Sequence, residues 1–248
     1  MKKVLSKEAK SAKYLEYLST FVKWSFIVPI GFLIYRIATT NNQIINGEVL
    51  RVRSDYVLML LQCILGIVAM GIPSLFTKKF KIEIPTKIYY LYVIFLYAAI
   101  FLGEIRSFYY RIPYWDMILH TFSGTMLGFF GFSFVFLLNK DEKLHMKLSP
   151  IFIAVFAFCF SITIGVVWEF YEYFSDIILK TNMQKYALEN GTNLIGRLAL
   201  VDTMEDLLVD TIGAFVACTI GYISLKYKKG WLDDMLFKRI KKTRKGEM

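Results

Sequence analysis

Long apolar runs separated by short charged connections dominate this chain. Six of them fall near Thr20–Ala38, Tyr56–Phe76, Ile88–Leu102, Tyr114–Leu138, Pro150–Phe174 and Leu207–Leu225, and the third can begin as early as Pro85. Each approaches the roughly 20 apolar residues needed to cross a hydrocarbon core about 30 Å thick. Lipid offers no hydrogen-bond partners, so each span must satisfy its own backbone, and continuous rather than alternating apolar runs fit helices instead of barrel strands. The pattern predicts an all-α, polytopic integral membrane protein with six transmembrane helices. It divides into an amphipathic segment 1–19, a transmembrane domain 20–225 and a basic tail 226–248.

Only one connection, 175–206, is long enough to hold structure of its own. Its apolar clusters, Ile177 to Leu179 and Leu194 to Leu200, flank Asn190-Gly191-Thr192, and the spacing predicts a short interfacial helix on each side of a glycine turn. In the tail, Trp231, Leu232, Met235, Leu236 and Ile240 recur at helical spacing among lysines and arginines. That predicts a helix lying on the membrane surface over 231–245.

Composition agrees with the pattern: 56% of the 248 residues are hydrophobic and the mean hydropathy is +0.47. Charge then orients the bundle. Both termini and the 77–87 and 139–149 connections carry 21 Lys and Arg, against 7 in the opposite connections. Positive charge accumulates on the cytoplasmic side, so both termini are expected there. The net charge of +10 is thereby explained by topology and anionic headgroups, without nucleic acid. No cleavable signal sequence is expected, because the first apolar run lacks a short core with a small-residue cleavage site. Cys63, Cys159 and Cys218 all fall inside spans, where a thiol acts as a small apolar group.

The acids are distributed unevenly. In WDMILHTFSG, 115 to 124, Asp116, His120 and Gly124 share one helix face. In VVWEFYEYFSD, 166 to 176, Glu169, Glu172 and Asp176 share another, and in VDTMEDLLVDTIGAF, 201 to 215, Asp202, Asp206 and Asp210 recur in four-residue steps. The proposed topology brings all of them, with Glu104, to the outer side. Ionisable groups at membrane depth are costly and tend to mark function.

Asp116, Asp202 and Asp206 also suit the first turn of a helix, where an acid complements the dipole. Glu169, Glu172 and Asp176 crowd a helix end where negative charge is disfavoured, so something cationic should compensate them. Arg106, Arg111, Arg197, His120, shared protons or a bound metal are the candidates. One imidazole among carboxylates suits a divalent ion such as zinc, manganese, iron or magnesium. The expected metal ligands are His120, Glu169, Glu172, Asp206 and Asp210, and His120, Asp116 and Glu169 are the expected acid–base residues. A structural hydrogen-bond network holding the helices together is the alternative. His145 falls in a charged connection and is expected to be solvated. Trp115, Trp168, Tyr109, Tyr110, Tyr114, Tyr171 and Tyr173 read as an aromatic belt at the outer interface. Gly124, Gly128 and Gly131 in span four, with Gly213, Ala214 and Ala217 in span six, predict close packing that sets Asp210 opposite His120 or Gly124.

Asp116-x3-His120-x3-Gly124, Trp168-Glu169 with Glu172, and Asp206-x3-Asp210-x2-Gly213-Ala214 together resemble the uncharacterised bacterial inner-membrane proteins of the YjdF type. More distantly, the chain is similar to the VanZ-like membrane proteins associated with glycopeptide resistance, over roughly residues 85–225. The VanZ-like pattern tends to have Glu-x-x-Gln and Asn where this chain has Glu169, Glu172 and Asp210, so this site is the more acidic. Neither family has a settled mechanism, so the resemblance implies a site more than a reaction.

Two classes of function fit. One is a membrane enzyme acting on a lipid-linked or envelope substrate through a metal or a His120–carboxylate pair. The other is a cation- or proton-coupled small transporter, with a non-catalytic scaffold as the plainer variant. One-sided clustering of acids favours a pocket over a continuous ion path.

Overall fold

The computed structural model describes residues 2–40, 51–140, 147–188 and 192–240, with side chains from residue 10 onward. Helix α1 spans Lys2–Thr39 and α2 spans Arg53–Phe80, followed by a short strand β1, Ile82–Glu83. Helix α3, Thr86–Leu96, continues without a break as a π-helical stretch, Tyr97–Ile105, and a single turn α4, Phe108–Arg111, follows. Helix α5 is Trp115–Asn139 and α6 is Pro150–Leu179. A 3₁₀ turn at Gly196–Leu200 leads into α7, Val201–Lys226, and β2, Lys238–Arg239, ends the described chain. Six of these stretches are long and apolar enough to cross a membrane. The protein is a polytopic all-α membrane protein.

The helices fall into two groups. In one, α5, α6 and α7 pack mutually, with the broadest face between α5 and α7; in the other, α1 packs on α2 and α3. The α5–α7 approach is set by glycines. A Cβ on Gly124 would collide with the backbone carbonyl of Asp210, and one on Gly213 with that of Thr121. Small residues let helix backbones touch where no hydrophobic force drives them together. The sequence expectation that spans four and six are neighbours therefore holds, and Asp210 faces both His120 and Gly124.

Local signals explain the helix ends nearest the site. Pro150 occupies the first position of α6 behind an N-capping Ser149, whose hydroxyl accepts from the Phe152 amide at 3.3 Å. At the other end α6 runs one turn further than the apolar run predicts, to Leu179, and closes on Lys180 in the left-handed conformation at φ 58°.

Three expectations are corrected. The N-terminal segment is not a separate element, since α1 continues unbroken through residues 10–19 into the first span. Its Leu15 joins the core with Val22, Phe26 and Val93, and Tyr90 donates its hydroxyl to the Ser11 carbonyl at 2.9 Å. The described part of the tail is not a helix. Leu232 and Phe237 are buried in the bundle, the Phe237 amide donates to Ser133 Oγ at 2.6 Å, and β2 pairs antiparallel with β1. Burying Leu232 and Phe237 against the bundle removes more apolar surface from solvent than a helix lying on the membrane surface would need to give up. Finally, the described residues of the 175–206 connection form no pair of interfacial helices. Ile177 to Leu179 complete α6, and Leu194 and Ile195 are extended before the 3₁₀ turn. The Asn190-Gly191 turn and His145 lie outside the described residues.

Candidate functional site

The acids gather at the end of the bundle opposite the β1–β2 pair. Asp116 and His120 lie in the first turns of α5, Glu169, Glu172 and Asp176 in the last turns of α6, and Asp202, Asp206 and Asp210 in the first turns of α7. Burial is deep for such a polar group: Asp206 is 2% exposed and Glu169 4%, with His120, Glu172 and Asp210 also buried.

His120 is the centre. Its Nδ1 lies 3.3 Å from Asp210 Oδ2, while its Nε2 faces Asp116 Oδ1 at 3.6 Å and Asp206 Oδ2 at 3.7 Å. The Asp210 carboxylate is itself held by Ser123, whose Oγ lies 2.6 Å from Oδ1. The two Nε2 distances are too long for hydrogen bonds. One ligand atom each from Asp116, His120 and Asp206 can be chosen so that all lie within 4.8 Å of one another.

The remaining acids divide by role. Glu172 accepts from Trp168 Nε1 at 2.9 Å, one helical turn away. Both carboxylate oxygens of Glu169 are buried and accept no hydrogen bond among the described residues. Gln184 lies beside Glu169, but its Nε2 donates to Thr203 Oγ1 at 3.0 Å. Asp176 leaves the cluster altogether. Its oxygens accept from Thr181 Oγ1 at 2.6 Å and from the backbone amides of Met183 and Gln184 at 2.8 and 3.0 Å, so it fastens the connection that follows α6. Glu205 is exposed on the far face of α7.

That fastening leads to a cation that is not among the candidates the sequence suggested, and that pairs with Asp116 and Asp202 and not with Glu169, Glu172 or Asp176. Arg106, Arg111 and Arg197 are all exposed. Instead Lys185 reaches in from the connection and donates to Asp116 Oδ2 and, at 2.7 Å, to Asp202 Oδ1. Burial opposes its charge, but the Asp116 and Asp202 carboxylates outweigh burial and hold the ammonium above the usual lysine range. A raised lysine pKa stabilises the folded state at every pH below the ordinary lysine value, about 10.4, and the contribution is lost only as the pH climbs through the folded value above it.

Tyr109 is a second residue the sequence misassigned. Read as belt, it lies with its ring over Gly103, where a Cβ would stand 2.5 Å from it. Burial, and then Asp116, Glu104, Glu172 and Asp206, push its phenol well above the usual tyrosine range. Trp168, another residue of the expected belt, donates its indole N–H to Glu172.

Because Asp176 accepts three bonds, Asp176→Ala is expected to destabilise the fold by roughly 1–3 kcal/mol. Limited proteolysis should then cut within 180–188 far faster than in the wild type. Unchanged cleavage would mean that the Lys185 ion pairs and the Gln184–Thr203 bond hold the connection without Asp176.

Fold and site together define a multi-pass helical membrane protein with a buried aspartate–histidine–aspartate group. Residues 30–227 match the family described as "Predicted membrane protein (DUF2238)", and the chain belongs to that family. It is also similar to an uncharacterized protein of Thermotoga maritima, 29% identical over 152 residues that cover 60% of this chain and 69% of the relative. No solved structure matches.

Proposed function

We propose that the pocket binds a divalent metal ion through Asp116, His120 and Asp206 and uses it in hydrolytic or transfer chemistry on a lipid-linked or envelope substrate. The observation carrying this reading is the pair of distances at His120 Nε2, 3.6 Å to Asp116 Oδ1 and 3.7 Å to Asp206 Oδ2. Metal bonds of about 2.0–2.2 Å at tetrahedral angles set neighbouring donors roughly 3.4 Å apart. The spacing is thus too wide for direct hydrogen bonds and close to that of two ligands sharing an ion. Asp210 on Nδ1 then acts as the outer carboxylate that fixes the ring and raises its basicity. This assignment revises the ligand set read from the sequence: Asp116 joins the ligands, Asp210 moves behind the histidine, and Glu172 is committed to Trp168.

Glu169 is the acid–base group of this reading, because it is a buried carboxylate that accepts no hydrogen bond among the described residues. A charge excess at the termini supports both termini being cytoplasmic and the pocket facing out of a bacterial cytoplasmic membrane. The Asp116, His120, Asp206 and Asp210 positions also support a YjdF-type protein within the family, with a more distant VanZ-like likeness.

A second reading has one observation in its favour: Lys185 already pairs with both Asp116 and Asp202 without a metal. The cluster would then be a structural or proton-carrying network. Elemental analysis of detergent-purified protein separates the two. A stoichiometric divalent metal is the expected result, whereas a well-folded, metal-free protein that also takes up none on addition of zinc or manganese would leave the network.

A further inference from the structure

We propose that Lys185 is a tethered counter-ion that a divalent cation displaces from Asp116 and Asp202 on entering the pocket, so that the 180–188 connection sets the strength and selectivity of the cation site. The inference rests on the metal reading of the Asp116–His120–Asp206 group and adds to it the group that competes with the ion.

Asp116 is the shared element. Its Oδ1 faces His120 Nε2 at 3.6 Å, while its Oδ2 is taken by the Lys185 ammonium. Two cations cannot occupy the two edges of one carboxylate without repulsion, which in this partly desolvated setting is much stronger than in water. Occupation of the site and retention of the Lys185 ion pair therefore oppose each other.

The backbone is arranged for such an exchange. Lys185 sits in the left-handed region at φ 46°, a conformation costly for a residue with a Cβ and kept only where contacts enforce it. Its ion pairs with Asp116 and Asp202 are such contacts. The side chain is 30% exposed, so its release needs a rotation towards water and no unfolding. The rest of the connection is fastened without it. Asp176 holds Thr181, Met183 and Gln184, and Asn182 closes a pair of bonds with Ala187, Nδ2 to the carbonyl at 2.7 Å and the amide to Oδ1 at 3.0 Å. The lysine can leave while the strap stays.

Charge supplies the selectivity. Beside Lys185 and His120, the cluster gathers Asp116, Asp202, Asp206, Asp210, Glu169 and Glu172, an excess of acids that one ammonium only partly offsets. A monovalent ion replacing Lys185 gains nothing in charge, whereas a divalent ion does.

The test is a manganese titration of the full-length, detergent-purified protein followed by electron paramagnetic resonance, comparing wild type, Lys185→Met and Lys185→Arg. Lys185→Met is expected to tighten manganese binding on the order of tenfold or more, since a competing unit charge is gone, and Lys185→Arg is expected to stay near wild type. Manganese binding by wild type and Lys185→Met with the same or a weaker affinity in the variant would overturn the exchange while leaving the metal site standing. Absence of binding in wild type and both variants would overturn the metal reading and the exchange together. Binding that emerges only in Lys185→Met would establish Lys185 as the resident cation. A measurement on unaltered protein guards against a misfolded variant: amine acylation of Lys185, read by peptide mass spectrometry, is expected to accelerate with manganese, and an unchanged rate at saturation overturns the proposal.

Discussion

Alanine in place of His120 is expected to abolish stoichiometric metal binding, whereas Asp210→Asn is expected to weaken it only by roughly 10–100-fold. The asymmetry follows from where each group stands. His120 Nε2 is the ligand atom between Asp116 and Asp206, and no second histidine is available, since the chain has only 2 and the other is His145. Asp210 touches the opposite ring nitrogen at 3.3 Å and acts through orientation and basicity. Asp206→Asn, which removes a charged ligand of the proposed set, should resemble His120→Ala more than Asp210→Asn. Metal analysis beside size-exclusion and circular dichroism checks this. If Asp210→Asn loses metal as completely as His120→Ala while both remain folded, Asp210 is a ligand and the present set is wrong. If all three variants fail to fold, the cluster is holding the helices together instead.

Gly124→Ala is expected to be among the most damaging single-methyl changes in the molecule, by roughly 1–3 kcal/mol or more. The new Cβ would meet the Asp210 carbonyl and not the tip of a flexible side chain, so relief requires moving α5 away from α7. That movement also draws His120 from Asp210, and metal affinity should fall together with stability. Gly31→Ala is the control. A Cβ there meets nothing within 4 Å, and alanine is the better helix former, so stability should hold or rise. Thermal unfolding in one detergent compares the two. Equal stability of both variants would refute the close α5–α7 approach, and with it the geometry of the site.

These expectations show what kind of information the chain makes plain. The spans were readable because lipid imposes one rule on every segment, an apolar stretch that satisfies its own backbone. The acid-bearing faces were readable because four-residue spacing puts Asp116 and His120, or Asp206 and Asp210, on one side of a helix wherever that helix goes. Small residues at Gly124 and Gly213 announced the α5–α7 contact for a similar reason. The tail misled because its apolar residues fit a helical period, yet Leu232 and Phe237 found buried places at the bundle end and β1 offered hydrogen bonds. The π-helical stretch at Tyr97–Ile105 left no mark in the hydropathy pattern.

The sequence by itself determined the class of protein, the six spans, the shared end of the bundle where the acids meet and the centrality of His120, all of which follow from periodicity and from the solvent the chain must satisfy. Only the tertiary structure decided which acids face which nitrogen of His120, that Asp176 is a fastening and not a site residue, that Tyr109 and Trp168 turn inward, and that Lys185 pairs with Asp116 and Asp202. Lys185 lies 69 residues from Asp116 and 17 from Asp202 along the chain. No helical period links such positions. Their meeting depends on a chain reversal after Leu179 that is built from hydrogen bonds to one aspartate, and bonds of that kind follow from the folded backbone alone.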